Sequence, residues 1–267
     1  MVNLYTEATK RKYTMDDFID IMKKLRAPDG CPWDKEQTHA SIRNNFLEET
    51  YEVVDAIDRN DSVDMCEELG DVLMQVVFHA VMAEEEEKFD FSDVVDGVCK
   101  KLVFRHPHVF GDVVAETSEK VLDNWDKLKR VEKSQETYTD TLKSVPAAFP
   151  ALLRAQKVQK RASKAGYDFT DVFEAFSKIG EETCELENEL SKGDKTALID
   201  EIGDLLFSIV NVGRILGIDC EEALSRSTVK FTDRFEKAEN YIIADGYDIK
   251  ELSAEKLDEY WNKAKNK

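Results

Sequence analysis

The sequence predicts an all-α protein made of two tandem bundles of four to five helices each, and three observations carry that prediction. Apolar residues recur at helical rather than alternating spacing: Leu69, Val72, Leu73, Val76 and Ala80 form one stripe, and Ile202, Leu205, Leu206 and Ile209 form its counterpart. All five prolines (28, 32, 107, 146 and 150) lie at or before residue 150, so none breaks a helix in the second half. A block of acidic residues also occurs twice. Glu48-Glu49-Thr50-Tyr51-Glu52, followed by Glu68-Leu69-Gly70-Asp71, returns 133 residues later without a gap as Glu181-Glu182-Thr183-Cys184-Glu185 and Glu201-Ile202-Gly203-Asp204.

The repeat divides the 267 residues into an N-terminal unit (1–130), a polar linker (131–145) and a C-terminal unit (146–267). In the first unit a short helix is expected over 15–26, then a loop over 27–34 holding Cys31-Pro32-Trp33-Asp34. The acidic block follows as a helical hairpin, with turn residues at 59–62. A helix around 91–105, a loop over 106–111 and a terminal helix holding Trp125 complete the unit. The second unit repeats this plan with a helix ending at Ala165, a loop over 166–169, a hairpin turning at 192–195, a helix around 221–241 and a terminal helix holding Trp261. Asp61 and Asp194 suit the N-cap of each hairpin's second helix, because a short carboxylate can accept from the free amides of the first turn.

Spacing gives the acids a shared geometry. Glu49 with Asp71, and Glu52 with Glu68, are symmetric about Asn60; Glu182 with Asp204, and Glu185 with Glu201, are symmetric about Gly193. Residues three apart on a helix share a face, so two antiparallel helices turning at these midpoints bring four carboxylates to one place. Such a cluster is costly unless some acids take protons or a cation is present. All-oxygen ligands suit Mg²⁺, with Mn²⁺ as a substitute. Glu48 and Glu181 sit on the edge of the same face and are candidate catalytic bases. The run Glu84 to Glu87 has no such partner and is read as a solvated face. A di-iron carboxylate site needs Glu-x-x-His on two helices. The chain has one, Glu36 to His39, and no histidine in its second half, which excludes that chemistry.

Composition narrows the classes further. A net charge of −19 argues against nucleic acid and anionic membrane partners, which call for concentrated Lys and Arg. No apolar run is long enough to span a bilayer, and residues 1–12 are polar, without a secretory pattern. Five cysteines without a Cys-x-x-Cys pair suit reduced, buried thiols, so a cytoplasmic protein is expected. Downstream of each acidic block lies a Lys-x-x-x-Arg pair, Lys101 with Arg105 and Lys230 with Arg234. Each pair shares one helix face and is a candidate for binding phosphate oxygens. Trp125 and Trp261 occupy matching ends of the units and are candidates for stacking on a nucleobase.

The Glu-Glu-x-x-Glu and Glu-x-x-Asp blocks, with Cys31-Pro32-Trp33-Asp34 upstream and Arg105-His106-Pro107-His108-Val109-Phe110 downstream, resemble the MazG family of nucleoside triphosphate pyrophosphohydrolases over nearly the whole chain. The resemblance implies two tandem MazG domains with the all-α NTP pyrophosphatase fold shared with dimeric dUTPases. It also implies a homodimer, Mg²⁺ dependence, and hydrolysis of nucleoside triphosphates, non-standard ones included, to nucleoside monophosphate and pyrophosphate. Carried over by position, the metal ligands are Glu49, Glu52, Glu68 and Asp71, and in the second domain Glu182, Glu185, Glu201 and Asp204. The second domain lacks both the Cys-Pro-Trp-Asp and His-Pro-His elements, yet keeps its acids and Lys230 with Arg234, which favours it as the active copy. The alternatives are a dUTP-preferring enzyme of the same superfamily and a non-catalytic, metal-stabilised helical interaction module.

Overall fold

The computed structural model describes residues 12–113 and 117–265; the polar segment 1–11 lies outside the described residues. Among these residues there are thirteen α-helices, one short 3₁₀ turn and no strand. None of these helices is long and apolar enough to cross a membrane. The chain forms two compact units that divide between Lys129 and Arg130.

In the first unit α1 (Met15–Arg26) begins at Thr14 with a reciprocal cap: the Thr14 hydroxyl accepts from the Asp17 amide and the Asp17 carboxylate accepts from the Thr14 amide. The segment expected as a loop over 27–34 instead enters a short helix, α2 (Pro32–Glu36), because Pro32 at its first turn is already set to helical φ. Gly30 allows the tight reversal before it, since a Cβ there would lie 2.2 Å from the Leu25 carbonyl oxygen. Arg26 then ties this segment down. Its guanidinium donates to the carbonyls of Asp34 and Gln37 and forms a two-point ion pair with Glu85. The Cys-Pro-Trp-Asp element is thus a structural anchor against the end of the hairpin.

The hairpin is α3 (Arg43–Asp58) and α4 (Ser62–Glu85). It reverses at Asn60, which adopts the left-handed conformation (φ 55°), and Asp61 caps α4 by accepting from the Val63 and Asp64 amides. The core gathers Met22, Ile42, Val77, Phe78, Val81 and Met82 where α1 crosses the distal half of α4. α5 (Phe91–Arg105) follows. The expected loop over 106–111 contains one helical turn, α6 (Pro107–Phe110), again begun by a proline. α7 (Ser118–Glu132) holds Trp125.

The stretch expected as a linker contains α8 (Tyr138–Lys143), capped reciprocally by Thr137 and Asp140. Thr141 and Val145 are buried, and Arg161 of α9 (Ala151–Lys164) donates to the Thr141 carbonyl and the Ser144 hydroxyl. The polar residues Thr141 and Ser144 of this stretch therefore serve hydrogen bonds within the unit. The second hairpin is α10 (Val172–Lys192) and α11 (Lys195–Ile215), reversing at Gly193 (φ 73°) with Asp194 as N-cap. α12 (Cys220–Ala244) and α13 (Ala254–Lys265) pack through Ala238, Ile242, Tyr260 and Ala264. Glu221 accepts from the amides of Leu152 and Leu153, capping α9 from a distant element.

Two expectations about burial change. The five cysteines are free thiols, but Cys220 alone is buried, while Cys66, Cys99 and Cys184 are exposed. The apolar stripes are covered only in part. Leu69, Ile202, Leu206 and Ile209 stay exposed.

Candidate metal and nucleotide site

Each hairpin brings its acids to one place. Glu49 of α3 and Glu68 and Asp71 of α4 offer oxygens that all lie within 4.8 Å of one another, and Glu182, Glu201 and Asp204 do the same in the second unit. Glu52 stands near Glu49 and Glu68 and helps to raise both carboxyls. Glu185 stands beside Glu182 and Glu201. The geometry follows from the helix pitch and the symmetric turn: three-residue spacing aims both acids of each helix across the hairpin.

The electrostatic cost is visible. Burial, reinforced by Asp71 and Glu52, pushes the Glu49 carboxyl above the usual carboxylate range, and burial with Glu52 and Asp64 nearby does the same to Glu68. In the second unit burial and Glu185 raise both Glu182 and Glu201. The Glu201 Oε2 atom is buried without a hydrogen-bond partner. A carboxylate oxygen left unpaired beside three other carboxylates is the donor a hard cation would satisfy, so the residues present fit Mg²⁺ or Mn²⁺.

The surrounding predicted residues fall into different environments. Glu48 and Glu181 are exposed, and Glu181 is ion-paired to Lys178 one turn earlier. Lys101 and Lys230 are exposed and Arg234 half-buried, and none of the three forms an ion pair among the described residues. Arg105 differs from the expectation of a free phosphate ligand. It is buried with its guanidinium 5.1 Å from the centre of the Trp125 ring, so Lys101 and Arg105 are not an equivalent pair of accessible cations. Trp125 also meets the His106 ring edge-on at 5.0 Å, giving the Arg-His-Pro-His element a packing role. Trp261 is half-buried against Phe231, 5.1 Å between ring centres.

Two residues at these sites have no counterpart in the sequence expectations. Lys178 lies near Glu181, Glu182 and Glu185, four residues before Glu182. Gln75, four residues after Asp71, is buried with its amide oxygen unpartnered. The i, i+4 signal was present for both, but a glutamine inside an apolar run and a lysine on an acidic helix carry no chemical label until their neighbours are known.

Each hairpin thus sets a Glu-x-x-Glu face against a Glu-x-x-Asp face, a donor set that fits a hard cation. The profile of the MazG nucleotide pyrophosphohydrolase domain matches residues 37–110 and 174–238, which contain the two hairpins. The nucleoside triphosphate pyrophosphohydrolase of Escherichia coli K12 is 44% identical over 254 residues, covering 94% of this chain and 97% of that protein. The nucleoside triphosphate pyrophosphohydrolase/pyrophosphatase MazG of Thermotoga maritima is 44% identical over 250 residues, covering 94% and 95%. An uncharacterized protein of Bacillus subtilis, YabN, is 44% identical over 249 residues, covering 93% of this chain and 51% of its own length. The chain belongs to the MazG family and carries two MazG domains.

Proposed function

We propose that this protein hydrolyses nucleoside triphosphates to nucleoside monophosphate and pyrophosphate in a Mg²⁺-dependent reaction, with water attacking the α-phosphorus. The observation that carries the reading is the twice-built cluster of acids, three within 4.8 Å in each hairpin, one of them with a buried oxygen lacking a partner. Glu49, Glu52, Glu68 and Asp71, and Glu182, Glu185, Glu201 and Asp204, would hold the ion. When bound, Mg²⁺ offsets triphosphate charge and acidifies a water. Glu48 or Glu181, exposed at the rim, accepts the proton of the attacking water. For Glu181 this requires release from Lys178, which an arriving phosphate would promote by competing for the ammonium. Lys230 and Arg234, without ion pairs among the described residues, meet the departing pyrophosphate. These cations, with Lys178 beside the acids, support the C-terminal unit as the active one.

Product analysis tests the chemistry. Monophosphate and pyrophosphate are expected together; diphosphate with orthophosphate would exclude attack at the α position. Glu201→Gln is expected to lower turnover by at least ~100-fold and Glu68→Gln to leave most of it, since a lost cation ligand removes the charge compensation of the transition state. An unchanged rate in the double variant would remove both sites. A panel of canonical and modified triphosphates, dUTP included, separates broad from dUTP-preferring specificity. Metal binding without turnover would instead favour the non-catalytic module.

A further inference from the structure

We infer that Gln159 is a positioning residue of the C-terminal acidic site. Its side-chain amide pins α11 one turn beyond Asp204, which fixes the height at which Glu201 and Asp204 face Glu182 and Glu185. This rests on the reading of that site as the metal-dependent, active one. α9 packs along α11. At their contact Gln159 Nε2 donates to the Phe207 carbonyl oxygen at 2.8 Å, and the residue is 5% exposed. A carbonyl only accepts, so the amide nitrogen faces Phe207 and the amide oxygen is directed elsewhere. That oxygen is buried with no hydrogen-bond partner.

Stability of the fold does not demand this bond. Phe207 lies inside α11, where its carbonyl already accepts from the amide four residues on. A methionine would fill the same volume without stranding an amide oxygen. What the glutamine adds is direction. Apolar contact is non-directional and lets one helix slide along another, whereas a hydrogen bond to one carbonyl does not. Phe207 stands three residues after Asp204 and six after Glu201 on the same rigid helix. A slip of one residue, about 1.5 Å, would carry both acids out of register with α10. Gln156 of α9 supplies an internal contrast. Its amide nitrogen donates to the Ile218 carbonyl at 2.8 Å and its amide oxygen accepts from the Cys220 amide at 3.4 Å, so both ends are satisfied, beyond the end of α11. In the N-terminal unit, among the described residues, the side-chain hydrogen bonds from α1 to α4 reach Glu84 and Glu85 at the far end of that helix, and none ends on a carbonyl beside Asp71.

The test uses the full chain carrying Glu68→Gln and Asp71→Asn, so that turnover and Mn²⁺ uptake report the C-terminal site. Adding Gln159→Met is expected to lower kcat about tenfold, with the fastest triphosphate of the panel above, because small misplacements of reacting groups act steeply on rate. Mn²⁺ binding in calorimetry is expected to weaken as well, while the metal-free melting temperature stays level or rises. Gln159→Leu, which also lacks a donor, is expected to match it. Gln156→Met, which removes two satisfied hydrogen bonds, is expected to give the reverse: a lower metal-free melting temperature, with the kcat and Mn²⁺ affinity of the background chain. Unchanged kcat and Mn²⁺ affinity in a folded Gln159 variant overturns the inference. So does failure of both Gln159 variants to fold, or an equal loss of turnover and melting temperature in the Gln159 and Gln156 variants, either of which marks Gln159 as a packing residue. If the background chain neither turns over nor takes up Mn²⁺, the reading of the C-terminal site itself fails and the inference goes with it.

Discussion

Glu201 shows how a single residue can be poorly suited to the empty fold and well suited to its ligand. Its carboxyl is pushed up by burial and by Glu185, Asp204 and Glu182, and one of its oxygens has no partner. Replacing it by glutamine removes a repelled charge at nearly constant shape. Glu201→Gln is therefore expected to raise the metal-free melting temperature while abolishing the C-terminal unit's share of the stabilisation by Mg²⁺, measurable by calorimetric scans with and without the ion. His79 offers a separate test through pH. Its Nδ1 lies 2.7 Å from His39 Nδ1, and the rings lie within 2° of parallel, so one shared proton joins them edge to edge. Burial first, then the His39 charge, lowers the His79 pKa. A lowered folded-state value means the neutral ring is favoured by folding. The stabilisation is complete above the ordinary histidine value and is lost as pH falls through it towards the folded value. Between about pH 7 and pH 5 the melting temperature is expected to fall more steeply for the parent than for His79→Phe. Parallel curves would show that the pair does not titrate on unfolding.

At the scale of elements, both hairpins solve one problem in the same way. Facing acids must stay in register, so the turn must sit at the midpoint between them. Asn60 and Gly193 occupy those midpoints and both take the left-handed conformation, with an aspartate directly after each as N-cap. Asparagine and glycine are the residues that enter this region at low cost. Gly193→Val is expected to cost roughly 1–2 kcal/mol in urea unfolding, from backbone conformation alone, as no atom lies within 4 Å of the added Cβ. Asp194→Ala is expected to cost about 1 kcal/mol through the lost cap. If both variants unfold at the parent midpoint, the turn does not set the register.

For the whole molecule, the uncovered apolar faces are the main feature. Val95, Val98 and Leu102 line one side of α5, and Leu224, Phe231 and Phe235 one side of α12, all exposed at helical spacing. Leu69 in the first unit, and Ile202, Leu206 and Ile209 in the second, are exposed as well, and exposed apolar faces of this kind mark interaction sites. We propose that a second copy of the same chain covers such faces, as the homodimer implied by the family resemblance would. Sedimentation is expected to give a species of twice the 30.6 kDa chain mass. Val98→Glu with Leu102→Glu is expected to shift it towards monomer. A parent that sediments as a monomer at micromolar concentration would leave these faces to a different partner.

Much of this organisation is legible in the amino-acid sequence alone. The all-helical class, the hairpin midpoints at Asn60 and Gly193, the N-caps at Asp61 and Asp194 and the meeting of the acids all follow from helix pitch, which fixes neighbours three and four residues apart wherever the helix goes. Burial is not legible there, because it depends on which distant segment lies over a residue. Only the tertiary structure decided that Arg105 stacks beneath Trp125, that residues 138–143 fold as a helix under Arg161, that Lys178 is spent on Glu181, and that Gln75 is buried. Short-range geometry is written in the repeat of the chain, whereas solvent exclusion is a property of the assembled fold.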